Sequence, residues 1–359
     1  MADVAVLWKT VTDLISQQVV QSKSQLPSTV RIPDDHGDQK DQLGQPFERD
    51  QHYFHVVINE MFLAHKRKWF TQIDPLVFVV SEFTYNKKDL VVPFIVGPSL
   101  LNQFGGEKAP PGMIFKDTSV SGTFPYRGGG LKLSVVLCQL SVGNYASELL
   151  QVIESTAKVL DFSPLLSPYA NVAEIVLQGF NTLLRLNGTT PLIGLRQPFD
   201  PNAGIPFVPS SFALIDEPNV DPQTLWVIGN RLMQGKSKAE ATPYRKFDFV
   251  LYSVVTPIKN LRDDLDTLPF APLWDKVVSE AGQGTKDAYR SAKANMVSLA
   301  QTITLSPDLT ATQRTMLKKS YKDRMVLEHK DAVGLALRGQ AKPDEFAEAR
   351  DESLAILDL

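Results

Sequence analysis

The spacing of apolar positions changes three times along the chain. At residues 3–21, Val4, Leu7, Trp8, Val11, Leu14, Ile15 and Val19 recur at helical intervals, which predicts an amphipathic helix over residues 1–22. One such helix is marginal alone in water, so its apolar stripe needs a core or a partner. Residues 23–51 turn polar and charged, and predict a linker.

From residue 52 the period becomes two. Tyr53–Phe62, Leu76–Tyr85, Leu90–Val96, Met113–Phe124 and Leu131–Val142 predict strands, with Pro93 pushing the third toward a sheet edge. Gly128-Gly129-Gly130 separates the last two and predicts a hairpin turn. Short strands divided by turn signals favour antiparallel pairing over repeated strand-helix-strand units.

Helical spacing then returns. Tyr145, Leu149, Val152, Ile153, Thr156, Val159 and Leu160 form one stripe. Val172, Ile175, Val176, Phe180, Leu183 and Leu184 form a second. Pro164 and Pro168 lie between them and Asn187-Gly188 follows, which predicts a helical hairpin inserted at 143–188. Strand signals resume at Pro191–Leu195, Phe212–Ile215, Leu225–Ile228 and Lys246–Pro257, with a polar loop expected at 231–245. After residue 260 they stop. Leu273–Ala281, Lys286–Ile303, Thr310–Arg338 and an acidic stretch at 343–357 predict helices, so 261–359 reads as a C-terminal helical region.

The expected fold is therefore α+β. An antiparallel β-sandwich-like body spans 52–260, carries the helical hairpin and is followed by the helical region. An α+β domain with one sheet face against the hairpin is the alternative.

Composition narrows function only by exclusion. The 359 residues carry 37 basic and 40 acidic side chains, net -3, so bulk binding to nucleic acid is not expected. The N-terminus lacks a basic start followed by a continuous apolar run, and no uncharged apolar stretch is long enough to span a bilayer. A cytoplasmic location is expected. The single cysteine, Cys138, sits in an apolar strand and reads as a small buried hydrophobe.

Catalytic and metal-ligand motifs do not stand out. His52 and His55 are three apart in a strand, a spacing that points them to opposite faces. Gly282-Gln283-Gly284-Thr285-Lys286 lacks the spacing of a phosphate loop and reads as a linker with Thr285 capping a helix. Asp34, Asp35 and Asp38, and Asp263, Asp264 and Asp266, read as solvated loops rather than calcium sites. No cofactor and no metal is expected.

The leading expectation is a non-enzymatic adaptor or assembly subunit that binds another protein or a second copy of itself. Its candidate contact residues are Trp8, Val11, Ile15, Val152, Ile153, Val176 and Phe180, the apolar stripes that need mates. One alternative is a peripheral membrane module using the run Lys66, Arg67, Lys68 and Trp69, where basic residues adjoin an aromatic. A third reading is an enzyme whose site is assembled from dispersed residues, with Arg127, Arg196 and the region of Asp264 as candidates.

Overall fold

In the computed structural model, residues 4–22, 28–38, 43–64, 67–68, 71–85, 88–97, 112–119, 123–141, 166–185, 189–201, 207–257, 259–261 and 265–339 are described. The chain divides into two compact units, Met1–Asn260 and Leu261–Leu359. It is an α+β protein in which antiparallel sheets pack on each other.

The first sheet runs in the order β1 (Ser28–Arg31), β10 (Ser210–Ile215), β14 (Phe249–Val255), β2 (Tyr53–Phe62) and β6 (Gly112–Ser119), with β7 (Phe124–Pro125) also pairing β2. The second runs β3 (Arg67–Lys68), β4 (Thr71–Tyr85), β8 (Leu131–Ser141) and β9 (Thr189–Phe199), with β5 (Lys88–Val96) also on β4. Alternate side chains explain the stacking. Val250, Tyr252 and Val254 of β14 face the second sheet, while Phe249 and Leu251 face away. The two sheets meet through aromatic edges. Phe54 lies 5.3 Å from Phe83, and Phe199 lies 5.6 Å from Phe212, both edge-on.

Both outer faces are covered. Helix α1 (Val4–Ser22) and helix α2 (Leu166–Arg185) lie on the second sheet. The first sheet carries a small ribbon of β11 (Leu225–Ile228), β12 (Arg231–Gln234) and β13 (Thr242–Pro243). Gly229 and Asn230 both have positive φ, 59° and 62°, the two-residue turn that joins hairpin strands without splaying them.

Three expectations need correction. The linker at 23–51 contains an edge strand, β1, which pairs with β10, and Val30, Ile32, Leu43 and Phe47 are buried. Four strand residues among polar neighbours are too few to show a period. The expected loop at 231–245 holds β12 and β13, whose polar side chains suit a ribbon half exposed to water. The glycine turn at 128–130 joins no hairpin. β7 pairs β2 while β8 pairs β4 and β9, so the turn carries the chain from one sheet to the other. Of the expected helical hairpin, the second helix is α2; the first helix, at 145–160, lies outside the described residues, as does the stretch 343–357.

In the second unit, α3 (Ala271–Ala281), α4 (Lys286–Leu305) and α5 (Ala311–Gly339) enclose a core that includes Phe270, Val277, Tyr289, Met296, Leu299 and Leu317. Trp274 stacks on Tyr321 at 4.1 Å. The caps follow the sequence. Thr285 Oγ1 accepts from the Ala288 amide and Thr310 Oγ1 accepts from the Gln313 amide, each opening a helix.

Candidate functional site

The residues named as contact candidates are largely used inside the chain. Val11 and Ile15 are buried and Trp8 half-buried, because α1 lies against β9 where residue 194 is glycine. A Cβ there would come within 3.1 Å of Ile15 Cδ1 and 3.4 Å of Trp8, so the missing side chain is what lets the helix sit close. Val176 and Phe180 are fully buried, and Phe180 stacks on Phe78 of β4 at 3.8 Å and 15°. Val11, Ile15, Val176 and Phe180 therefore serve the chain's own core and offer no free docking face, which corrects the expectation for them, while Trp8 packs on that core and keeps part of its ring exposed. Val152 and Ile153 lie outside the described residues, as do Lys66 and Trp69. Arg67 and Lys68 form the short β3, whose backbone pairs with Gln72 and Thr71.

The dispersed candidates do not converge. Arg127 pairs with Asp50, while Arg196 gives its Nη2 to both oxygens of Glu82 at 2.8 and 2.9 Å. Each guanidinium has its own carboxylate, and Asp264 lies outside the described residues. Asp34 pairs with Arg31 and Asp38 with Lys238, which accounts for two of the three acids in the first acidic run. His52 Nδ1 accepts the Glu48 amide at 2.8 Å, a turn contact. Cys138 is fully buried, and burial pushes its thiol up and away from reactivity. Among the described residues no group of three or more His, Cys, Asp or Glu side chains could hold a metal ion.

The densest polar cluster was not read from sequence. It fastens the β11–β13 ribbon to the first sheet. Strand β2 bulges at Asn59: Tyr252 of β14 pairs Ile58 and Leu251 pairs Glu60, leaving Asn59 unmatched. The fully buried Glu60 carboxylate accepts the Leu232 amide of the ribbon at 2.8 Å and Arg245 Nη2 at 2.6 Å. Arg245 also lies over the Phe62 ring at 4.8 Å. Burial drives the Glu60 carboxyl above its ordinary range; the Leu232 amide and the Arg245 and Arg231 charges oppose this without cancelling it. Asn59 Oδ1 accepts from Ser253 Oγ at 2.8 Å, and Ser253 in turn meets Ser211 Oγ at 2.9 Å. Glu217 takes Tyr244 Oη and Lys246 Nζ, each at 2.6 Å. The donors and acceptors are matched within the protein, so the cluster acts as a clamp.

One member of this region is in tension. Burial, and then the neighbouring Asp248 carboxylate, raise the Asp216 carboxyl to about 6. A raised folded-state value means that the native state prefers the proton, so Asp216 lowers stability as pH rises from the ordinary carboxylate value through 6. Asp216→Asn is therefore expected to raise stability at pH 7.5 by more than about 1 kcal/mol, and to leave it unchanged near pH 4. Urea denaturation at the two pH values checks this, and an equal gain at both would refute the charge-based cause.

The helical unit carries a different kind of feature. Pro269, Phe270, Ser298, Thr302, Leu305 and Pro307 line an open, mainly apolar groove of about 420 Å³. Leu305 at its edge is 81% exposed, more than any other large hydrophobic side chain among the described residues. It is also held in place. Arg314 donates to the Thr304 carbonyl at 2.9 Å, and Lys318 Nζ reaches Thr304 Oγ1 at 3.3 Å, so the last turn of α4 is pinned to α5. Exposed Met316 and Leu327 lie on α5.

Among the described residues no helix is long and apolar enough to cross a membrane. No protein-family model, no curated protein and no solved structure matches the chain.

Proposed function

We propose that the protein is a non-enzymatic interaction or assembly subunit, with the β-body as scaffold and the helical unit as the docking element. The observation that carries this reading is the apolar groove with the pinned, 81% exposed Leu305 at its edge. A solvated leucine fixed beside an apolar groove loses free energy in water and regains it when a protein surface covers it. The polar clusters of the body support the same reading, because Glu60, Arg245, Glu217 and Asp38 each spend their hydrogen bonds on holding the ribbon in place. A cytoplasmic setting goes with it, since the single thiol is kept as a buried hydrophobe.

A photo-reactive residue placed at position 305 of the full chain tests the reading in cells of the native host. A discrete protein adduct at 305, with none at the exposed Lys322 of α5, is expected. Equal labelling at both positions, or none at 305, would remove the helical unit as a docking element.

A further inference from the structure

His329 touches all three helices of the helical unit. It lies on α5 and is 2% exposed. Its ring stacks on Tyr289 of α4, itself buried, at 3.9 Å and 13°. It also donates to the carbonyl of Ala281, the last residue of α3, which the Gly284 amide shares at 3.3 Å. Nδ1 is buried without a hydrogen-bond partner, so the donor is Nε2. That bond fixes the tautomer: the neutral ring carries its proton on Nε2 and a bare lone pair on Nδ1.

A second proton would turn Nδ1 into a donor that has no acceptor among the described residues, and would place a charge in the apolar core of the unit. The charged groups around the ring supply no counter-ion. On α5, Met325, Val326, Ala332 and Val333 lie one turn away; Glu328 is taken by Arg324 at 2.6 Å, and Lys330 is exposed. On α4, Lys286 and Lys293 lie one turn either side of Tyr289, and Lys293 Nζ sits 5.4 Å from its ring centre. On α3, Glu280 accepts from Ser291 Oγ at 3.0 Å and Asn295 Nδ2 at 2.6 Å. Burial therefore governs the ring: it holds the imidazolium form down, and the Ala281 carbonyl opposes this without cancelling it.

We propose that the helical unit is an acid-operated latch, shut while His329 is neutral and loosened when the ring takes a proton and the tie between α3, α4 and α5 is lost. The latch works whatever the unit binds. The unfolded chain takes the proton at the ordinary histidine value of 6.5, and the native unit only below it. The stability that neutral His329 contributes is thus whole above pH 6.5 and is lost as pH falls from 6.5 toward the native value. Glu60 and Asp216, with raised carboxyls, act with the opposite sign in the first unit, so a local measurement is required.

Hydrogen exchange of the full chain, resolved by peptide and corrected for the intrinsic rate at each pH, is such a measurement. From pH 7.5 to pH 5.5, protection across residues 271–334 should fall about five- to tenfold, the ratio that a single buried histidine gives one pH unit below its unfolded value. The sheets should show no such fall. His329→Phe keeps a ring on Tyr289 and cannot take the proton, so it should abolish the fall. Should that variant not fold, His329→Gln, which can still donate to Ala281 and does not titrate, takes its place. Tyr289→Phe removes only a hydroxyl without a partner and should keep the fall. Constant protection of 271–334 in the parent overturns the proposal, and so does a fall that the His329 variants retain.

Discussion

Replacing Arg245 by alanine is expected to destabilise the first unit by about 3–5 kcal/mol at pH 7.5, the range for leaving a buried charge without its partner. Glu60 has no exposed surface, and two groups are seen to donate to its carboxylate, the Leu232 amide and Arg245. With Arg245 gone, the Leu232 amide and the more weakly acting Arg231 charge are left to oppose a desolvation that already dominates. The carboxyl is then pushed further above its ordinary value of 4.5. The sign of the pH effect follows. The native variant binds a proton that the unfolded chain at the same pH does not, so its stability rises as pH falls toward 4.5. The deficit relative to the parent should therefore shrink between pH 7.5 and pH 5. Arg245 also covers the Phe62 and Phe249 rings, and that loss carries no such pH dependence. Urea denaturation at both pH values separates the two, and a deficit of equal size at pH 5 would assign the effect to the rings. Glu60→Gln combined with Arg245→Met should recover most of the loss, since it removes both charges and keeps the volume.

That clamp shows why part of the structure was readable in the chain and part was not. Strands such as Leu76–Tyr85 are apolar on both faces and announce themselves, because the sandwich buries one face and α2 the other. The stripe of α1 was equally plain. What it covers was not, since the fit depends on Gly194, nearly two hundred residues away. The same distance hides the Glu60–Arg245 pair, and no local pattern links a residue of β2 to one just before β14. A trace of it exists in Asn59-Glu60, two adjacent polar residues inside the apolar strand Tyr53–Phe62. A strict period of two cannot hide both on one face, so the pair signals a bulge with buried polar groups. The burial of the contact candidates on α1 and α2 has a related reason. Apolar periodicity marks the faces that the chain needs for itself, and Val11, Ile15, Val176 and Phe180 all lie in its core.

Phe180→Ala distinguishes a core residue from a docking residue at the position where sequence periodicity is most ambiguous. Phe180 lies parallel to Phe78 at 3.8 Å, and neither ring is more than 2% exposed. Truncation removes the ring's transfer free energy and leaves a cavity between α2 and the second sheet, a loss of about 3–5 kcal/mol. Val176, Leu177, Leu183 and Leu184 remain to hold the helix, so α2 should stay docked while the unfolding midpoint in urea falls. Phe180→Leu, which keeps most of the volume, should cost less than half as much. A docking residue would behave in the opposite way, with an unchanged midpoint. Leu305, 81% exposed, supplies the comparison through Leu305→Asp. The Phe180 variants should lower the midpoint, whereas Leu305→Asp should leave stability within about 0.5 kcal/mol of the parent, the range for surface substitutions. A lowered midpoint for Leu305→Asp with an unchanged one for Phe180→Ala would reverse this assignment of core and surface.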